Sequence, residues 1–570
     1  MKHSGIPSSV GIALRTVLKE IHPSQTRTPA QRRAFHDYFV THLPSSSLSP
    51  DKASGQPHKF PRNESKPHDD APKSGSPSPS QLSQPNRDTT IVRIPIKGAK
   101  HHFGAGVSRG SRPYNEDTYQ AGTIEIPSFA QRQPPSPTAK LPDKGEGEGQ
   151  AAQSESGDPQ VFYFGVFDGH GGSECSEFLR ERLHGYVEEA ALLFGMSSSL
   201  QSEGGTQDAK ELDSEGGVMG EMDAEDLQKS LVSSWRETVG GYFKRFKPEY
   251  FPAVAASRDV EDSPETVNNS SIETILTYAF LKADLDFTAA QASKHSKEDN
   301  PNTSRTSVDD PVLSDKPLND NDLLFHPDRP ASQNLRTHPR HPSTSQTPDL
   351  SAPIGGSTRF KGGSTASIAL ISTPTPTPFW HPASPSTLIT AHCGDTRILL
   401  SRTADGAAVP LTTNHHPSTP VEASRLRRYA ASFVTDSFGE ERVLGLANTR
   451  AFGDIQSKRI GVSAEPQITT TQLKAAEYSF AVLMSDGVSG VLGDQEVVDV
   501  VKEARTPEAA ARDLVSFATE VGETGDNATA LVVRLGGWER RGEGGEGALG
   551  TRELREWRKN EAADPRSRRR

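Results

Sequence analysis

Four short apolar runs in this 570-residue chain each meet an aspartate at one end. They are residues 161–172 (VFYFGVFDGHGG), 388–397 (LITAHCGDTR), 480–487 (FAVLMSDG) and 525–535 (GDNATALVVRL). Runs of this length, rich in Val, Ile and Phe, read as buried strands. A carboxylate at the end of such a strand sits on the rim of a sheet, fixed by a rigid element and still in reach of solvent. Several of them converging make a set of hard oxygen donors, which suits Mg²⁺ or Mn²⁺ and not zinc.

Composition limits how much of the chain can pack. The hydrophobic fraction is 32%, with 48 Gly and 43 Pro, so one catalytic-sized domain with unpacked arms and insertions is expected instead of several domains. The net charge of −11 is not gathered into one acidic block, and no Lys/Arg stripe marks a nucleic-acid partner. No apolar run is long enough to span a membrane. Cys175 and Cys393 are the only cysteines, too few for a disulfide framework, and read as small buried residues in a reducing compartment.

The first fifty residues carry Lys2, Arg15, Lys19, Arg27, Arg32 and Arg33 against Glu20 and Asp37, in a Ser/Thr-rich context. Residues 10–21 (VGIALRTVLKEI) have the pattern of a short amphipathic helix. Arg-rich, Ser-rich and acid-poor composition is that of a mitochondrial transit peptide; the alternative is a generic basic tail in a cytoplasmic protein. Residues 1–88 are therefore taken as a targeting segment and Ser/Pro-rich linker. The catalytic domain is expected over 89–535, opening with the alternating run TIVRIPIKG. Disordered insertions are expected near 128–158, 197–221 and 293–359, and a charged, solvated tail over 536–570. Helical periodicity appears at 173–194, 224–246, 271–290, 494–504 and 507–521. In the third of these, Ile275, Tyr278, Ala279 and Leu281 are placed to face a sheet. Batches of strands and batches of helices predict an α+β layering with largely antiparallel sheets.

Two loops hold further chemistry. In DGHGG, Asp168 can meet cations, Gly169 lets its carbonyl approach one, and His170 can donate or accept a proton beside them. In SRGSRPYNEDTY (108–119), Glu116 and Asp117 add carboxylates, and Arg112 offers a planar guanidinium suited to a bidentate grip on phosphate. Each loop alone is also compatible with a polar turn.

Together the motifs resemble, in order from about residue 103 to 535, the metal-dependent type 2C protein serine/threonine phosphatases, and with the basic N-terminus a mitochondrial member of fungal type. The matching segments are GSRPYNED, VFDGHGG, GGSTASIALI, AHCGDTRILL, NHHPSTPVEASRL, LANTRAFGD, EPQI, LMSDGVSGVL and GDNATALVV. The resemblance implies a four-layer α-β-β-α sandwich of two mainly antiparallel sheets flanked by helices, with two Mg²⁺ or Mn²⁺ ions in a cleft at one end. It places metal ligands at Glu116 (through water), Asp168, the Gly169 carbonyl, Asp486 and Asp526, with Asp117 supporting them. It assigns phosphate binding to Arg112 and general acid catalysis to His170, with water activated by the two metals as nucleophile and no phosphoenzyme. The implied substrates are phosphorylated proteins, and a monomer is expected.

The chain departs from the pattern at Gly490, where the family has an acid that joins the position of Asp395 in a third metal site; Asp395 is therefore expected to be a doubtful ligand. Asn414 stands for the usual Asp before the HxP turn. Arg450 and Asp454 are expected to form a cleft-side ion pair or turn, Ser364 and Thr365 to satisfy backbone at a strand start, and His415 and His416 to carry no chemistry. The competing readings are a pseudophosphatase binding module on the same fold and a different two-metal hydrolase such as a phosphodiesterase.

Overall fold

The structure is a computed structural model; it describes residues 38–44, 89–95, 102–131, 150–151, 158–200, 224–255, 271–292, 294, 354–356, 358–427, 433–435, 441–443, 445–522, 525–542 and 551–564. Among the described residues the strands are β1 (Tyr38–Pro44), β2 (Thr89–Pro95), β3 (Phe103–Ser108), β4 (Thr118–Ile124), β5 (Gln150–Ala151), β6 (Val161–His170), β7 (Gly363–Ser372), β8 (Ser386–Cys393), β9 (Arg397–Arg402), β10 (Ala408–Pro410), β11 (Phe433–Thr435), β12 (Glu441–Val443), β13 (Phe452–Gly453), β14 (Gln467–Leu473), β15 (Tyr478–Met484) and β16 (Ala528–Arg534). The helices are α1 (Glu174–Leu193), α2 (Ala224–Thr238), α3 (Pro252–Ala255), α4 (Ile272–Ala292), α5 (Pro420–Arg427), α6 (Asp486–Ser489), α7 (Asp494–Glu503), α8 (Pro507–Val521) and α9 (Arg552–Ala563).

Two antiparallel sheets carry the architecture. One runs β14-β8-β7-β6-β4, with β13 added on β7; the other runs β10-β9-β15-β16-β3. Period-two alternation sorts their side chains into layers. On β6, Phe162, Phe164 and Val166 point into the layer between the sheets, where Ala369, Ile371 and Leu388 of the same sheet meet Ile398, Leu400, Ala481, Leu483, Leu531 and Val533 of the other. Val161, Tyr163 and Phe167 of the same strand turn outward onto α1, α2 and α4. On the far side, Phe480, Val482, Met484, Ala530 and Val532 pack under α7 and α8. The order α-β-β-α expected from the sequence is thus the observed one.

The helices obey local rules. Thr506 caps α8, its Oγ1 accepting from the Ala509 N–H at 3.1 Å, with Pro507 at the first helical position. The predicted helix at 224–246 is broken: α2 ends at Thr238, and Gly240 and Gly241, at φ 68° and 54°, lead into a 3-10 turn over Gly241–Arg245. Left-handed backbone at two consecutive glycines cannot continue a helix. Ile275, Tyr278, Ala279 and Leu281 are buried as predicted, but most of the remaining α4 side chains are buried as well.

Several predicted boundaries shift. β1 lies inside the segment assigned to targeting and linker, pairing antiparallel with β2 from Tyr38 opposite Pro95 to Pro44 opposite Thr89. Ser128 and Ala130, placed at the start of an insertion, are fully buried, because Ser128 bonds Ser372 Oγ at 2.8 Å and the Asp158 carboxylate. The tail assigned to solvent instead contributes Trp538 to the outer core of the second sheet, and α9 is tied down by Arg558 to Glu496 and Arg555 to Glu503. The amphipathic stretch at 10–21, the linker at 45–88, and most of the predicted insertions lie outside the described residues.

Candidate active site

Strand ends of both sheets meet at one rim. β6 finishes in Asp168, Gly169 and His170, and the turn from β8 to β9 brings Asp395. From the other sheet β15 runs into Asp486 at the start of α6, and Asp526 stands two residues before the last strand. One oxygen from each of Asp168, Asp395 and Asp486 lies within 4.8 Å of the other two, which among the described residues is the cluster able to hold a metal ion. The Asp486 N–H donates to Asp168 Oδ2 at 3.3 Å.

Crowding of like charge shows in the electrostatics. Burial, then the neighbouring Asp486, Asp117 and Asp395, push the Asp168 carboxyl well above the usual carboxylate range. Burial, followed by Asp395 and Asp526, raises Asp486 to about 7. Asp117 is raised to about 6 by burial, opposed by its hydrogen bonds. Its Oδ2 accepts from Ser485 Oγ at 2.8 Å, and that hydroxyl accepts from the Thr529 N–H at 2.9 Å. This brace ties the edge of one sheet to the centre of the other.

The remaining predicted residues surround this cluster. Arg112 places Nη2 3.0 Å from Asp526 Oδ2, with 55% of its side chain exposed to solvent. The Glu116 carboxylate faces the Gly171 and Gly172 amides and feels the charges of His170 and Arg112; burial raises its pKa against these influences. At Gly169 a Cβ would meet the Glu116 carbonyl at 2.4 Å and Ser176 Oγ at 2.9 Å, so only glycine fits this crossing. His170 places Nε2 3.0 Å from both carboxylate oxygens of Asp454. Burial would lower its pKa, but Asp454, Asp395 and Glu116 raise it to about 9.

Asp395, ranked doubtful from the sequence, thus stands inside the closest carboxylate group, while Glu116 and Asp526 stand around it. Arg450 and Asp454 do not pair with each other. Arg450 is taken up by Glu422 on α5 through both Nε and Nη2, and Asp454, in left-handed backbone, is taken up by His170. Ser364 Oγ bonds the Thr365 carbonyl, whereas Thr365 Oγ1 is buried with no partner. His415 is buried and stacked on His392 at 4.8 Å. Cys175 is buried and its thiol pushed up by burial and by Asp284 and Asp454, the opposite of an activated nucleophile.

Sequence reasoning gave no role to Asn448 or Asn527. Asn448 Nδ2 donates to Asp395 Oδ2 at 2.8 Å. Asn527 donates to the Arg109 and Tyr114 carbonyls and accepts from the Glu116 N–H, binding the Arg112 loop to β16. Its position directly after Asp526 was the available signal.

The donor set fits a hard divalent cation. It consists of carboxylate oxygens, its members repel one another, and Asp395 Oδ1 is buried without a hydrogen-bond partner. Among the described residues no ion pair reaches Asp168, Asp395 or Asp486.

The family profile described as Protein phosphatase 2C matches residues 311–527. Protein phosphatase 2C homolog 4 of Schizosaccharomyces pombe is 30% identical over 454 residues, spanning 79% of this chain and 84% of that protein. The chain belongs to the protein phosphatase 2C family. It is a metal-dependent serine/threonine protein phosphatase. A second member, the mitochondrial protein phosphatase 1K of Xenopus laevis, is 36% identical over 152 residues, 26% of this chain and 40% of its own. A solved serine-threonine phosphatase 2C from Toxoplasma gondii aligns over 77% of this phosphatase and 95% of its own chain, at 15% identity and a TM-score of 0.39. No helix among the described residues is long and apolar enough to cross a membrane.

Proposed function

We propose that this phosphatase hydrolyses phosphoserine and phosphothreonine monoesters in proteins by direct attack of water at a two-cation centre. Two Mg²⁺ or Mn²⁺ ions, when bound, supply Lewis-acid activation of water and neutralise charge on the phosphate. Asp168, the Gly169 carbonyl, Asp486 and Asp526 are the proposed ligands, with Glu116 acting through water, Asp117 supporting them and Asp395 available to a further ion. Arg112, solvent-facing and 3.0 Å from Asp526, is placed to release that carboxylate and grip the non-bridging phosphate oxygens. His170 protonates the serine or threonine oxygen as the P–O bond breaks.

The observation that carries this reading is the convergence of Asp168, Asp395 and Asp486 with a buried Asp395 oxygen lacking any partner. These retained carboxylates also speak against a binding module that has lost turnover. Phosphate release from a phosphothreonine peptide is expected with Mn²⁺, and is expected to vanish with chelator and in Asp486→Asn. Equal inertness of wild type and Asp486→Asn across a Mn²⁺ titration would instead establish a pseudophosphatase.

The basic, acid-poor N-terminus and the similarity to a phosphatase named as mitochondrial support import into mitochondria and a phosphoprotein substrate there. A fluorescent reporter carrying residues 1–50 that stays cytosolic sinks this localisation.

A further inference from the structure

Helix α4 carries an acid inside its buried surface. Asp284 and Lys458 are both fully buried, and Lys458 Nζ bonds Asp284 Oδ2 at 2.5 Å and the Ala451 carbonyl at 2.7 Å. The other Asp284 oxygen accepts from the Gly453 N–H at 2.9 Å. All these bonds act on one short segment, which turns sharply: Gly453 has φ 70° and Asp454 φ 44°. A left-handed conformation is unfavourable for a residue with a side chain and persists only where its surroundings over-determine it. Here they do. The Asp454 N–H donates to the Gly362 carbonyl at 3.0 Å, and β13 pairs with β7, Phe452 opposite Ser364 and Gly453 opposite Gly363.

The turn delivers the Asp454 carboxylate to His170 Nε2, at 3.0 Å from each oxygen. Gly363 lies against that carboxylate; a Cβ there would stand 2.5 Å from Asp454 Oδ2. A carboxylate behind an imidazole fixes its tautomer and orientation. With Nε2 committed to Asp454, Nδ1 is the ring nitrogen left to serve a substrate.

We propose that Asp454 is a positioning residue that holds the His170 ring for proton delivery to the departing serine or threonine oxygen, and that the buried Asp284–Lys458 pair is the clamp that keeps Asp454 in place. The inference rests on the reading of His170 as proton donor. In the step concerned, the water oxygen bonds to phosphorus and the bond from phosphorus to the side-chain oxygen breaks. The electron pair stays on that oxygen, which takes its proton from His170 Nδ1.

Leaving-group dependence tests this. An alkoxide needs the proton, whereas p-nitrophenolate leaves without one. The full-length Mn²⁺-loaded enzyme is assayed on a phosphothreonine peptide and on p-nitrophenyl phosphate. Asp454→Asn is expected to lower kcat on the peptide by about tenfold or more, with KM little changed, and to alter p-nitrophenyl phosphate turnover by less than about threefold. In the double variant with His170→Ala the peptide loss is expected to match His170→Ala alone, because two residues acting as one unit are not additive. Gly363→Ala, which crowds Asp454 and keeps its charge, is expected to show the same selective loss, as is Asp284→Asn; Gly363→Ala decides the matter if Asp284→Asn does not fold. Equal losses on both esters in Asp454→Asn, or multiplying losses in the double variant, overturn the positioning role while leaving His170 as donor. Equal losses on both esters in His170→Ala overturn the donor reading and this inference with it.

Discussion

The two sheets share one site but hold their parts of it in different ways. On the five-stranded side, Asp486 and Asp526 stand beside paired strands, Met484 lying opposite Ala530, and are braced by immediate chain neighbours: Ser485 to Asp117, and Asn527 to the Arg112 loop. On the six-stranded side Asp168 ends a strand, but Asp395, His170 and Asp454 rely on partners far along the chain: Asn448, Asp454 and the Asp284–Lys458 pair. One half is preorganised by strand geometry; the other by a buried polar network, which is rigid when satisfied and costly when broken.

The strongest way to break this comparison is to remove a group from each half. Asp486→Asn is expected to lower Mn²⁺-dependent turnover by about 10³-fold or more, the scale of losing a principal electrostatic element. Asn448→Ala leaves every carboxylate in place and frees Asp395. It is expected to raise the Mn²⁺ concentration for half-maximal activity by about tenfold, as for loss of a partner behind a ligand. An Asn448→Ala enzyme with unchanged Mn²⁺ dependence contradicts the view that the six-stranded half depends on its remote partners.

Stability separates the halves next. Lys458→Met leaves Asp284 buried without its cation and is expected to cost about 3–5 kcal/mol in urea unfolding, whereas Asp284→Leu combined with Lys458→Met is expected to recover most of that loss. If the single and double variants unfold alike, the pair is not an isolated charge couple. A pH effect follows on the same side. Burial holds His392 down to about 3 and also lowers His415, which stacks on it. His392 is therefore neutral in the fold, hydrogen-bonded to Ser367 Oγ and the Thr413 carbonyl, while the unfolded chain takes up a proton below about 6.5. Its contribution to stability is present above 6.5 and lost as pH falls toward 3. From pH 6.5 to 5 the loss through this group is about 2 kcal/mol. His392→Gln is expected to flatten the profile of urea midpoint against pH, and an unchanged slope rules this titration out.

The same contrast explains what was legible in the sequence. Continuous apolar strands such as VFYFGVF announce that both faces are buried, and aspartates at their ends can be read without any tertiary contact. Asp284 and Lys458 are 174 residues apart, and each looks like an ordinary charge in a helical or turn segment. The one local signal was an acid within YAFLKADLDF, a stretch too apolar around its circumference to give a single buried face. Asp454 was visible as a motif residue in an ion pair with Arg450 or a turn; the turn is there, but the bond to His170 was hidden because the sequence does not announce left-handed backbone at a non-glycine residue. Trp538 was missed because the Gly- and Arg-rich residues around it outweighed one large apolar side chain.

The smallest effect sharpens the comparison from the five-stranded side. Its outer layer is held by ordinary local signals, with α8 starting at Thr506 and Pro507 and burying Ala510, Ala511, Leu514, Val515, Phe517 and Ala518. Thr506→Ala removes the acceptor for the Ala509 N–H and should cost about 1 kcal/mol, the typical value for a lost N-cap. Thr506 lies at the end of α8 that packs against Gly104, opposite Val532 and away from Asp526, so kcat and Mn²⁺ dependence are expected to match wild type below the unfolding transition. A drop in turnover at full folding would mean that this layer, too, sets the position of Asp526, and that the two halves are held by the same kind of network.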